Sequence, residues 1–408
     1  MKILLSAYAC EPNRGSEPGV GWNWALELAK RGHEVWVLTR ANNREPIEAE
    51  LAAMVPLENL HFLYFDLPEW CRRLKKFKGG IYPYYLAWQW GAYKMAHKVH
   101  RQIRFDRVHH VTFVSIRLPS FMGGLGIPFV FGPVAGGEYA PWRLRRGYPA
   151  RGWILDALRD LANALVRIDP LMRRTFRRAE RIFVTSEQTL DLVPNRYRSK
   201  TRVQLAIGLD EKWLQAIPPS IDKKPAGKEA LRLLYVGRFL YWKGMHLGLP
   251  AFARFLEKCP AAVLTMIGQG PEEKLWRELA AKLGIAHSVR WVSWVDQAEL
   301  SRYYREHDLF YFPSLHDSGG MVVLEALAHG VPVLCFDLGG PGTVVNETCA
   351  LVAETKKVSE NVLVADLADK LLSLWRSPEL LSSLAGRAKD RAYAFNWEQL
   401  VTRIYPQE

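Results

Sequence analysis

The sequence predicts an α/β protein made of two successive doubly wound parallel sheets. Three observations lead there. Apolar strand-like runs alternate with helical runs in both halves, as in parallel sheets covered by helices. A polar stretch without periodicity, PPSIDKKPAGKEA at 218–230, separates the two alternations and reads as an interdomain linker. The 408 residues suffice for two domains, each with its own core.

In order, the first half opens on a buried strand, MKILLSAYA, followed by a helical pattern over 20–31 with Trp24 and Leu28 on its apolar side. HEVWVLTR is the next strand, and further strands fall at 61–65, 107–111, 128–131 and 181–185. After the linker the alternation resumes with strands at 232–236, 262–267, 289–294, 309–312 and 332–336. Helices lie between them at 247–258, 272–283 and 321–329. FNWEQLVTRIY, near the end, is an amphipathic helix placed to pack back on the first domain. The predicted domains are 1–207, 208–385 and a terminal helical piece, 386–408.

Composition narrows the function. With 49% apolar and 24% charged residues the chain reads as a globular enzyme rather than a disordered or fibrous protein. The most apolar stretch, 116–137, is interrupted by Arg117, three prolines and six glycines, so no spanning helix is expected. The start of the chain is too soon interrupted for a signal peptide, which implies a cytoplasmic protein. Cys10, Cys71, Cys259, Cys335 and Cys349 are odd in number and widely spaced, and read as reduced core residues. Charge is lopsided: residues 1–216 hold 33 Lys and Arg against 20 Asp and Glu, and the remainder holds 22 of each. One half therefore faces an anionic partner.

Two segments carry chemistry. In LLYVGRFLYWKGMHLGL a strand ends at Gly237, after which Arg238 and Lys243 emerge as two cations suited to a diphosphate. The competing reading is a solvated Arg and Lys on a turn. In FPSLHDSGGMVVLEALAHG, Ser318, Gly319 and Gly320 lie between a strand and a helix, where backbone N–H groups and the helix dipole favour an anion. Glu325 can accept from a ribose diol and Asp317 from a sugar hydroxyl; alternatively Asp317 is a helix cap and Glu325 a surface residue. No Asp-x-Asp metal motif is apparent, and no metal or cofactor is expected.

The Asp317…Glu325 pair resembles the Glu-x7-Glu motif of retaining glycosyltransferases, with Asp in the first place. Together with VGRFLYWKG, the IGQGPEEKLW loop carrying Gly268 and Gly270, and Gly-Leu-Asp at 208–210, it makes the whole chain similar to glycosyltransferase family 4. The resemblance implies a GT-B fold: two facing Rossmann-like doubly wound domains with an interdomain cleft, and metal-independent sugar transfer with retention. The donor would be a UDP-, GDP- or other nucleoside-diphosphate sugar. It assigns the diphosphate to Arg238 and Lys243, the ribose to Glu325, and the transferred sugar to Asp317 with the amides of Gly319, Gly320 and Met321.

In the first half, Gly15, Gly19 and Gly21 follow the first strand in a loop that opens a helix. In the family the corresponding loop approaches the reaction centre. FDRVHHVTF resembles the family's Asp-x-x-His stretch, which puts His109 near the donor sugar. Adjacent strand residues face opposite ways, so only one of His109 and His110 can point at the site, and His109 is chosen. Gly136 and Gly137 would line the acceptor side. The acceptor is expected to be a glycan or lipid-linked species in cell-surface polysaccharide synthesis. The stretches 70–104 and 142–181 interleave Arg and Lys with Trp, Tyr and Phe, which suits the anionic inner face of a plasma membrane. Competing readings are a nucleotide-sugar epimerase on the same fold and a basic nucleic-acid binder. No nucleic-acid module is recognised, so no such partner is expected.

Overall fold

The computed structural model describes residues 1–77, 79–218 and 230–406. The stretch 219–229 of the expected linker lies outside the described residues. The chain divides into two compact units. Unit 1 comprises Met1–Gly137, Leu161–Gly208 and Trp397–Glu408, and unit 2 comprises Glu138–Asp160 and Leu209–Asn396.

Unit 1 is built on a parallel sheet of seven strands: β1 (Lys2–Ala7), β2 (Glu34–Arg40), β3 (Leu60–Phe65), β4 (Arg107–Thr112), β5 (Phe129–Val134), β6 (Arg181–Val184) and β7 (Thr201–Val203). Their spatial order is β3-β2-β1-β4-β5-β6-β7. Unit 2 repeats the plan with six strands: β8 (Arg232–Val236), β9 (Val263–Ile267), β10 (Val289–Val292), β11 (Leu309–Phe312), β12 (Val333–Phe336) and β13 (Ala350–Ala353). Their order is β10-β9-β8-β11-β12-β13. Strands buried on both faces are apolar almost throughout, as LFYF of β11 and VLCF of β12 illustrate. The sheet order reverses between β1 and β4 and again between β8 and β11, and ligands of such sheets bind at the carboxyl ends beside that reversal.

The helices cover these sheets. In unit 1, Tyr84, Tyr85 and Trp88 of the helix Ile81–Ile103 pack into one apolar cluster with Phe129, Phe131, Met172 and Phe176. These aromatics of the basic 70–104 stretch are therefore core residues, while Trp70, Phe77 and Tyr82 stay exposed. All five cysteines are free and buried. Among the described residues no helix is long and apolar enough to cross a membrane.

Three sequence expectations need correction. The first helix begins at Ser16 rather than at 20, so Gly19 and Gly21 are helical and not in a loop. Residues 138–160, expected in the first domain, belong to unit 2, and so do residues 386–396. The cause for 138–160 lies in its polar groups, side chain and backbone. Asp156 accepts from the Tyr241 hydroxyl at 3.1 Å, Arg159 lies 3.0 Å from His316 Nδ1, and the Arg146 amide donates to Glu360 at 2.8 Å. No periodicity announces such distant partners. The short strands β7 and β13 were also not expected.

Past their ends β8 and β9 continue side by side as loops, with the Gly237 amide donating to Ile267 O and the Phe239 amide to Gln269 O. Gly268, at φ +144°, has Gly237 O only 2.0 Å from where a Cβ would stand. Gly268→Ala is expected to cost about 2–3 kcal/mol of stability, read as a lower midpoint in urea unfolding.

Candidate functional site

The loops after β8 and β11 lie where the strand order of unit 2 reverses; they hold Arg238, Lys243 and Asp317, and the helix that follows carries Glu325. A backbone bond joins them, the Leu315 amide donating to Trp242 O at 2.9 Å. Gly244 packs against the second loop: at φ +72° its missing Cβ would sit 1.8 Å from Pro313 O. Only glycine fits a left-handed turn pressed so closely on another backbone.

Across this junction Lys243 Nζ pairs with Asp317 Oδ2, and both side chains are largely buried. Lys243 Nζ also lies 4.8 Å from the centroid of the Phe312 ring. The other carboxylate oxygen of Asp317 accepts from the amides of Gly319 at 3.3 Å and Gly320 at 3.2 Å. Burial works to raise the Asp317 carboxyl. The Lys243 ammonium and the two amides outweigh it, so the group titrates below its ordinary value and stays ionised. The family reading gave those two amides to the sugar; in the structure they donate to Asp317. The cap reading is not met either, since the helix Met321–Ala328 has Gly320, at φ +64°, as its N-cap. Met321 opens that helix, and in its first turn the Val323 and Leu324 amides donate to Gly320 O at 3.0 and 3.1 Å.

Glu325 is half-buried one turn into this helix, and its Oε2 accepts from the Tyr304 hydroxyl at 3.1 Å. Burial pushes its carboxyl up, the Tyr304 bond opposes that only in part, and the result is about 7. The surface reading of Glu325 does not hold. Arg238 is exposed, with no ion pair found for it among the described residues. Its backbone carbonyl accepts from the Tyr235 hydroxyl at 3.3 Å, which fixes the turn beneath the guanidinium.

The glycines divide by role. Gly237, at φ +153°, shapes the turn after β8. Gly268 and Gly270 instead let the two strand-end loops touch, Gly270 having Phe239 O at 2.2 Å from its Cβ position. Their place in the expected donor set is thus accounted for by packing. In unit 1 the same holds for Gly19 and Gly21, whose Cβ positions meet Arg14 O at 2.1 Å and Ala9 O at 2.2 Å. Gly137 is pressed on Thr189, and Gly136 O accepts from Arg117 at 2.6 Å. Gly15 alone of this group has open space at its Cβ position.

Neither histidine of β4 reaches an open site. His109 is fully buried, with Nε2 2.8 Å from Gly132 O and Nδ1 3.1 Å from the Tyr405 hydroxyl. A carbonyl can only accept, so Nε2 carries the proton and Nδ1 accepts from Tyr405. Its ring packs edge-on against Trp24, 5.1 Å between centroids. Burial lowers its pKa to about 3, so it stays neutral. His110 points into the opposite layer, with Nε2 2.9 Å from the Tyr85 hydroxyl. The alternation argument was sound, but both faces of β4 are covered by helices, so both rings are core.

Sequence reasoning missed several supports. Tyr304 holds Glu325, and the Phe312 ring backs Lys243. His316, beside Asp317, is met by Arg159 from the far-off 138–160 segment. In unit 1, the Glu17 carboxylate accepts from the Phe113 amide at the β1/β4 reversal, and Phe113 sits at φ +55°. The acid at 17 lay in the glycine-rich stretch, and its first-turn helical place was the available signal. Among the described residues no group of three or more His, Cys, Asp or Glu is placed to hold a metal.

Two outcomes follow. His109→Ala leaves Gly132 O and the Tyr405 hydroxyl unpaired beside a cavity, and should cost about 2–4 kcal/mol in urea unfolding. Glu325 titrates higher in the folded chain than in the unfolded one, so folding takes up a proton between about 4.5 and about 7. Its ionisation therefore withdraws stability as pH rises through that window. Glu325→Gln should raise the melting temperature at pH 8 relative to wild type, with the difference disappearing near pH 4.

A family model described as glycosyl transferases group 1 matches residues 217–391, and one described as a glycosyl transferase 4-like domain matches residues 15–206. The chain is 30% identical over 172 residues to the glycogen synthase of Mycobacterium tuberculosis, covering 42% of this chain and 40% of that protein. It is 29% identical over 230 residues to the D-inositol 3-phosphate glycosyltransferase of Rhodococcus opacus, covering 51% and 50%. The match thus spans about half or less of these curated relatives. In fold, the chain is similar to the sucrose-phosphate synthase of Thermosynechococcus elongatus, with TM-score 0.58 and 18% identity over 99% of this chain and 97% of that one. It is equally similar to HepE of Anabaena in complex with UDP, with TM-score 0.58 and 16% identity over 99% and 98%. With its two parallel sheets of seven and six strands, the chain has the two-domain α/β GT-B fold and belongs to the group 1 glycosyltransferases.

Proposed function

We propose that the chain transfers a sugar from a nucleoside-diphosphate sugar to a glycan or lipid-linked acceptor with retention of anomeric configuration, without a metal or other cofactor. The observation that carries the donor site is the junction at the β8/β11 reversal, where Lys243, Asp317 and the start of the helix bearing Glu325 are held together. HepE, similar in fold, is described in complex with UDP, which supports a nucleoside diphosphate as the ligand class.

In this reading the diphosphate lies against the amides of Met321 and Val322 at the start of the helix, with Arg238 and Lys243 beside it. An ammonium has three donors, so Lys243 can keep Asp317 and still reach a phosphate oxygen. Asp317, kept ionised, accepts from a hydroxyl of the transferred sugar. Glu325 accepts from the ribose diol; those bonds favour its ionised form, so donor binding near pH 7 releases protons. The acceptor hydroxyl oxygen attacks the anomeric carbon from the leaving-group side. The bond from that carbon to the diphosphate oxygen breaks, and the acceptor's proton passes to a phosphate oxygen. Negative charge grows on the diphosphate, where fixed donors and cations lower the barrier most. Cell-surface polysaccharide synthesis is the process this acceptor class fits.

UDP, GDP and ADP sugars should be compared by thermal shift on wild type, Lys243→Ala and Glu325→Ala, with the product's anomeric configuration read by NMR. One donor is expected to stabilise wild type and neither variant, and Lys243→Ala should lose about 10²–10³ in kcat. A wild type that no nucleoside-diphosphate sugar stabilises would sink the donor reading. An inverted product would sink retention alone.

A further inference from the structure

The helix Ala150–Leu165 is folded inside out. Its inward row is polar: Gly152, Asp156, Arg159 and Asn163 recur at spacings of four, three and four, the repeat of one helical face. Each has an evident partner. Gly152 lies against the Tyr241 ring, 2.9 Å from its Cβ position. Asp156 accepts from Tyr241 and from Arg159 at 2.9 Å, and Arg159 continues to His316. Asn163 Oδ1 accepts from Arg117 at 2.5 Å.

The outward row of the same helix is apolar. Ile154, Leu158 and Leu161 are 61%, 58% and 58% exposed, and Leu155 and Leu165 are exposed beside them. A soluble helix places such a row against a core and its charges in water. Here the polar row is used up inside, and the apolar one is presented to something else.

Charge identifies what that is. The helix has two acids, Asp156 and Asp160, and they are paired with Arg159 and Arg145. Arg151 is exposed and lies on the outward row, three residues before Ile154 and seven before Leu158. Arg143 and Arg146, just before the helix, are exposed too, as are the aromatic rings of Trp142 and Trp153. Leucine and isoleucine on one face, arginines along it and tryptophans at its start match the demands of a lipid headgroup boundary. A second copy would bring these arginines against their own kind, whereas anionic headgroups neutralise them.

We propose that the outward face of the helix Ala150–Leu165 docks on a membrane surface carrying anionic lipid. A membrane partner deepens the lipid-linked acceptor reading above and rests on it for its purpose, while the docking face itself is separate from Lys243, Asp317 and Glu325.

The test is co-sedimentation of the full chain with vesicles of phosphatidylglycerol and phosphatidylcholine, and with phosphatidylcholine alone. Wild type is expected to bind the anionic vesicles, less so as salt is raised, and to bind phosphatidylcholine alone weakly. The combined variant Ile154→Ser, Leu158→Ser, Leu161→Ser should lose binding by about tenfold or more, with an unchanged melting temperature because these side chains are exposed. Stabilisation by whichever of the UDP, GDP and ADP sugars stabilises wild type, read on the same samples, should persist in the variant, so failure of the donor reading and failure of membrane docking are separate results. Docking is overturned if wild type ignores anionic vesicles or if the variant binds as well as wild type. A wild-type dimer in lipid-free solution that the variant turns into a monomer also overturns it.

Discussion

The pairing of Lys243 with Asp317 ties together the loops that follow β8 and β11, and the strand ends of unit 2 are organised around that tie. Two charges are withdrawn from water to make it, which is costly unless each finds further partners. Asp317 finds them in the amides of Gly319 and Gly320, and Lys243 in the face of Phe312. The loops are pressed close enough that Gly244 admits no side chain. Because the turn of Asp317 ends at Gly320, the ion pair also sets where the helix Met321–Ala328 begins. That start in turn fixes Glu325 against Tyr304. Loss of the pair would therefore disturb position as well as charge.

Much of this was legible in the chain. Apolar runs of four to six residues gave both sheets, because strands covered on two sides need no alternation to be recognised. The order of Arg238, Lys243, Asp317 and Glu325 was readable because each follows a strand end, where open parallel sheets place their ligand loops. What could not be read was the use of groups already committed elsewhere. The amides of Gly319 and Gly320 looked available and are held by Asp317. Gly19, Gly21, Gly268 and Gly270 looked like ligand-facing loops and serve close backbone contacts. A glycine in a sequence states that room is short, not which neighbour takes it.

The histidines of β4 teach a related lesson. A polar residue near a strand end is a fair candidate for a site, and alternation rightly sent His109 and His110 to opposite faces. Alternation does not say whether a face is open. Here both are roofed, one by Trp24 and Tyr405 and the other by Tyr85, and each ring has hydrogen-bond partners within the protein. The assignment of 138–160 failed for a different reason. Nothing in the periodicity of the segment says which sheet it packs on; the choice was made by Asp156 and Arg159, whose partners lie in the second half of the chain.

That crossing has a consequence for synthesis. The 138–160 segment leaves the ribosome well before Tyr241 and His316, the residues that receive its polar row. At about 5–20 residues per second, the interval from Asp160 to Tyr241 is roughly 4–16 s. During that time the segment is without the partners of its polar row. Unit 2 cannot be completed from the second half alone, because a piece made earlier must be kept available for it. A nascent chain therefore carries Asp156 and Arg159 for seconds before their partners exist, and a fragment starting at residue 209 would lack part of the unit it was cut to represent.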